Sequence, residues 1–140
     1  MKRNTLYSIF FAIISLFILS ACDMNQSNGQ EVQVQETDYH ISSNMTNFAT
    51  GKAYHFVITN NGKVAHEFMI MPKVGDNAVG DTSMNHSKMP SLATVENIGP
   101  GETKTLDYTF PSATRGSHPE FACYYEGHYE AGMRLDITVN

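Results

Sequence analysis

Residues 54–71 read YHFVITNNGKVAHEFMIM, and this stretch decides the fold class. Tyr54, Phe56 and Ile58 recur at every second position, as in a strand with one buried face. His66, Phe68 and Ile70 repeat that period after a break. The break holds Asn61-Gly62, and Asn-Gly between two alternating runs predicts a β-hairpin. A histidine that shares its face with Phe68 and Ile70 is expected to point inward.

The same period extends both ways along the chain. Toward the N-terminus, EVQVQ (31–35) puts Val32 and Val34 on one face. Toward the C-terminus, residues 72–91 break the pattern with Gly, Pro, Asp and Asn and read as a long loop. ATVENIGPGETKTLDYTF (93–110) is a short strand, a turn, and a strand with Leu106, Tyr108 and Phe110 aligned. In EFACYY (120–125) Phe121 and Cys123 share a face. MRLDITV (133–139) aligns Met133, Leu135, Ile137 and Val139. Many short strands separated by turn residues predict an all-β fold, a Greek-key β-sandwich.

The chain ends set the compartment. Lys2 and Arg3 precede an apolar run, Leu6 to Leu19, that is short for a membrane span and reads as a secretory signal. It ends in LSAC (19–22), which resembles the bacterial lipobox, with Cys22 as the lipidated residue. Asp23 then implies the periplasmic side of the inner membrane if the cell is Gram-negative. The expected organisation is a signal over 1–21, a flexible tether over 22–30 and one domain over 31–140. Without residues 1–21, seven basic and fourteen acidic residues remain, a net charge of −7. An acidic surface argues against nucleic acid as a partner.

The chain has two cysteines. With Cys22 lipidated, Cys123 has no disulfide partner in an oxidising compartment, where a free thiol is a hazard. CYYEGHYEAGM (123–133) supplies a reason for it: Cys123, His128 and Met133 stand at equal five-residue steps. Thiolate and thioether suit Cu(I), and imidazole serves both copper states. Two histidines and a cysteine with a long axial methionine hold copper in either state. The second histidine must come from elsewhere among the six. His66 is the candidate, because it lies inward on a well-anchored strand. A zinc site fits poorly, since thioether is a weak zinc ligand. A cysteine hydrolase would leave Met133 unexplained and lacks an orienting Asn or Asp.

NNGKVAHEFMI, IGPGETKTLDYTF and FACYYEGHYEAGM together resemble the cupredoxins, the small blue (type 1) copper proteins. The resemblance runs from about Val32 to Asn140, and its Cys-x4-His-x4-Met spacing is that of rusticyanin-like and auracyanin-like members. It implies one copper ion held by His66, Cys123, His128 and Met133. A backbone N–H of Glu67 or Phe68 should donate to the Cys123 sulfur, with Phe68 and Phe121 keeping the site dry. It also implies an electron carrier rather than an enzyme, exchanging electrons with a redox protein such as a respiratory complex or a cytochrome; with the lipobox at Cys22, the expected protein is a membrane-anchored monomer. The alternative within the same fold is a copper-tolerance protein or metallochaperone. Glu126, Pro119 and Arg134–Leu135 depart from common family residues without removing a ligand. MNHSKM (84–89) offers Met84, His86 and Met89 as a candidate second copper site. The plainer reading is that its methionines cover the rim near His128.

Overall fold

The computed structural model describes residues 29–73 and 90–140. The signal, Cys22, and the Met84–His86–Met89 cluster lie outside the described residues. The described chain forms a β-sandwich, as the alternation predicts. One four-stranded sheet contains β1 (Gln30–Thr37), β2 (His40–Ser43), β4 (Ala53–Asn60) and β7 (Thr103–Thr109), in the order β2-β1-β4-β7. The other contains β5 (His66–Met71), β6 (Ala93–Ile98), β8 (Glu120–Ala122) and β9 (Arg134–Asp136), in the order β6-β5-β8-β9. β3 (Asn47–Phe48) and β10 (Thr138–Val139) pair in parallel.

Each sheet turns its apolar face inward. Val32 and Val34 of β1 and Tyr54, Phe56 and Ile58 of β4 meet Phe68 and Ile70 of β5 and Phe121 of β8. The Phe56 and Phe121 rings cross edge to face at 5.7 Å, and Phe68 lies 4.9 Å from Phe121. Burying such side chains contributes about 1.5–3 kcal/mol each, the main term that holds the two layers together. Cys123 and Met133 belong to this same cluster, so the candidate ligands are continuous with the core.

The hairpin expected at Asn61-Gly62 is not formed. β4 pairs with β1 in parallel on one side and with β7 antiparallel on the other, so it has no free edge for β5. Residues 61–65 instead cross from one sheet to the other. The buried Asn60 side chain organises the crossing. Its amide donates to the carbonyls of Val64 and Ile98, at 2.8 Å each, and its Oδ1 accepts from the Gly62 N–H. Asn60→Ala strands those groups. It should cost about 2 kcal/mol in urea unfolding of the metal-free protein and loosen His66, which stands at the end of the crossing.

The C-terminal run is also divided. Residues 134–136 pair with β8 and residues 138–139 with β3, and the break falls at Ile137, whose N–H goes to the Pro119 carbonyl.

Candidate metal centre

The site forms where the start of β5 meets the loop that follows β8. His66 is the first residue of β5 and is fully buried. Next to it the β5–β6 register slips, His66 facing Ile98 but Phe68 facing Val95. This bulge lies on β6, where Asn97 takes a positive φ of 55°. Bulges re-aim neighbouring side chains. Here the bulge is tied to the other half of the site, because Asn97 bonds the Tyr125 hydroxyl through both its N–H and its Oδ1.

Residues 123–133 form a compact loop closed by its own backbone. Cys123 N–H donates to the Met133 carbonyl, His128 N–H to that of Tyr125, and Met133 N–H to that of His128. Gly127 and Gly132 have φ of 82° and 98°, with open space where a Cβ would stand. Backbone conformation, not crowding, therefore requires glycine there. Outside the loop, Glu120 accepts the hydroxyls of Tyr124 and Tyr129, whose rings stack at 4.6 Å.

Three potential ligand atoms converge. His128 Nδ1 is 3.2 Å from His66 Nδ1 and 3.3 Å from Cys123 Sγ. The donor atoms of all three residues fall within 4.8 Å of one another. His66 and Cys123 are fully buried, while His128 is partly exposed. Met133 is fully buried in the same cluster as Cys123, and its backbone is bonded to both Cys123 and His128.

The electrostatics suit a cation. Burial lowers the His66 pKa, helped by His128 and opposed by Asp38. Burial raises the Cys123 thiol, opposed by the backbone N–H groups of Glu67 and Tyr125 that point at its sulfur. Without a metal, burial thus favours the neutral forms of the Cys123 thiol and the His66 imidazole. A metal bound there would displace the thiol proton. His66 Nε2 is buried without a hydrogen-bond partner among the described residues, which leaves Nδ1 as the nitrogen that faces the other donors. One thiol, two imidazoles and a nearby thioether fit copper.

In line with the sequence expectation of an N–H from Glu67 or Phe68, the Glu67 N–H holds the Cys123 pKa down, as does that of Tyr125, which no motif marks. The Glu67 side chain adds a contact, accepting the Tyr124 N–H at 2.9 Å. Phe68 and Phe121 lie against the site fully buried. Sequence reading also missed Asp38 and Tyr39. Tyr39 packs edge-on to the His128 ring at 5.4 Å, and Asp38 Oδ1 stands 3.8 Å from His66 Nε2. No spacing or motif marks them, because they come from a strand turn in the opposite sheet.

No family model matches the chain. Two curated relatives are similar to it, both described as copper-resistant cuproprotein CopI. One, from Pseudomonas aeruginosa, is 29% identical over 147 residues, covering 79% of this chain and 76% of the relative. The other, from Vibrio cholerae, is 38% identical over 86 residues, covering 60% of this chain and 48% of the relative. The chain thus matches about half the length of the second. Among solved structures, reduced auracyanin from Roseiflexus castenholzii superposes with a TM-score of 0.57 at 18% identity, covering 80% of this chain and 98% of that one. Auracyanin B gives 0.59 at 18% identity, covering 83% and 92%. An azurin from Methylomonas sp. strain J gives 0.56 at 17% identity, covering 79% and 98%.

Proposed function

Starting from the cupredoxin fold that this chain has, we propose that it is a copper protein with one type 1 site, which His66, Cys123 and His128 would hold with the Met133 thioether. The observation that carries this reading is the convergence of two imidazoles and one thiol: His128 Nδ1 lies within 3.3 Å of both His66 Nδ1 and Cys123 Sγ, and the donor atoms of all three within 4.8 Å of one another. Copper bound there would supply a one-electron couple. The protein's own part is to hold the donors still. Cys123 and Met133 are fixed by core packing and by the loop's backbone bonds, and His66 by β5 and the Asn60 crossing. The N–H groups of Glu67 and Tyr125 stabilise the thiolate charge, and Phe68 and Phe121 exclude water. Little has to move between oxidation states, which favours rapid electron exchange. His128, partly exposed, is the port for the electron.

Titration with Cu(II), followed by visible and electron-spin spectroscopy, tests the reading. An intense thiolate-to-copper band reaching its maximum at one ion per chain is expected. Its absence would end the proposal, and a second tight ion would bring the Met84–His86–Met89 segment back as a site. Met133→Leu should keep the copper and raise the reduction potential by about 59 mV for each tenfold loss of Cu(II) over Cu(I) preference. Voltammetry reads it directly.

Two uses of such a site fit. A membrane-tethered electron carrier, anchored through Cys22 outside the cytoplasm and serving a redox protein, matches the rigid, dry geometry. Copper tolerance is favoured by the names of the curated relatives. Copper-sensitive growth of a deletion strain would select tolerance. Fast electron exchange with a respiratory partner, with growth in copper unchanged, would select the carrier.

A further inference from the structure

We propose that Asp38 is the positioning residue for His66: its carboxylate fixes the proton on Nε2 and so keeps the Nδ1 lone pair turned toward Cys123 and His128. This rests on reading His66 as a copper ligand. β1 and β2 are joined by two residues, Asp38 and Tyr39. Tyr39 has a φ of 67°, a strained value for an aromatic residue, and such strain persists where the surroundings impose it. The turn reaches over the 61–65 crossing and touches both histidines, Tyr39 on the ring of His128 and Asp38 facing His66.

Three observations converge on Asp38. His66 Nε2 is fully buried and has no hydrogen-bond partner among the described residues, yet a carboxylate oxygen stands 3.8 Å away. That oxygen is held in place, since Oδ1 of Asp38 accepts the Lys63 N–H at 2.8 Å. Gly62 makes the approach feasible. A Cβ on it would collide with Asp38 Oδ1 and would stand 3.1 Å from His66 Nε2. Carboxylate, glycine and imidazole therefore share one space that a side chain at residue 62 would close. An imidazole that binds through one nitrogen carries its proton on the other. A carboxylate facing that proton fixes the tautomer and raises the basicity of the ligating nitrogen. Greater basicity favours Cu(II) over Cu(I).

The test compares Asp38→Ala, Asp38→Asn and Gly62→Ala with the wild type. Nitrogen-15 NMR of the copper-free protein should find His66 as the Nε2–H tautomer in the wild type. Asp38→Ala should convert a substantial share to Nδ1–H. In Cu(II) titrations Asp38→Ala should bind about tenfold more weakly. If Cu(I) binding is unchanged, the reduction potential rises by about 59 mV. Gly62→Ala, which displaces the carboxylate without removing it, should act in the same direction. Asp38→Asn keeps an acceptor for the Lys63 N–H and removes only the charge, so a smaller change of the same sign is expected from a folded protein. An unchanged tautomer together with Cu(II) affinity within twofold in Asp38→Ala would overturn the role. The copper-free NMR decides Asp38 even if the wild type shows no thiolate–copper band, an outcome that would instead overturn the type 1 site.

Discussion

Cys123→Ala is expected to abolish the intense visible band of the Cu(II)-loaded protein while leaving the fold intact. The thiol is fully buried, 3.3 Å from His128 Nδ1, and receives two backbone N–H groups. It is the sole anionic donor the cluster can form, and in the proposed site the visible transition would be a transfer of charge from that sulfur. Partners one shell out from a metal typically cost 10–100-fold in affinity when removed. Losing the thiolate itself should cost more than about 100-fold. Alanine leaves a cavity of a single sulfur atom, so the metal-free variant should unfold within about 1–2 kcal/mol of the wild type. Cu(II) spectra and urea unfolding on the same sample separate the two effects. Full colour in the variant would mean that another donor set holds the ion.

The largest effect on stability is expected at Glu36. It sits on the inward face of β1 beside Val32 and Val34, is fully buried, and neither carboxylate oxygen has a hydrogen-bond partner among the described residues. Burial, with Glu67 adding repulsion, pushes its pKa up to about 8 from an ordinary 4.5. The unfolded chain releases this proton near pH 4.5, whereas the folded chain keeps it until about 8. Between those values the folded state binds more protons, so rising pH costs stability across that window and no more above it. At about 1.4 kcal/mol per unit the ceiling is roughly 5 kcal/mol. Glu36→Leu removes the penalty and fills the space with apolar atoms. In urea unfolding of the metal-free protein, variant and wild type should differ least at pH 4–5, and the gap should open by several kcal/mol toward pH 8–9. Taking the difference cancels the opposite slope from His66, whose pKa is lowered. A gap that stays constant with pH would show that Glu36 is ionised in the fold at neutral pH.

Glu36 also shows the limit of reading by period. The alternation that marks Val32 and Val34 continues to residue 36, so its inward position is written in the sequence. That its carboxyl finds no partner is not, because partners come from other strands. The Asn61-Gly62 turn is the opposite case. Its local chemistry speaks for a hairpin, and the pairing of β4 on both edges overrules it.

The sequence by itself determined the all-β alternation, the inward face of His66 and the glycine-spaced loop of Cys123, His128 and Met133. These are local properties: a period of two, a short spacing, and φ values that favour glycine. Only the tertiary structure decided that β4 and β5 lie in different sheets. It alone brings the imidazole of residue 66 to 3.2 Å from that of residue 128 and sets Asp38 beside the first of them. Contacts between residues tens of positions apart follow from which strand edges remain free to pair and which faces must be buried together. Both are settled by the whole chain at once.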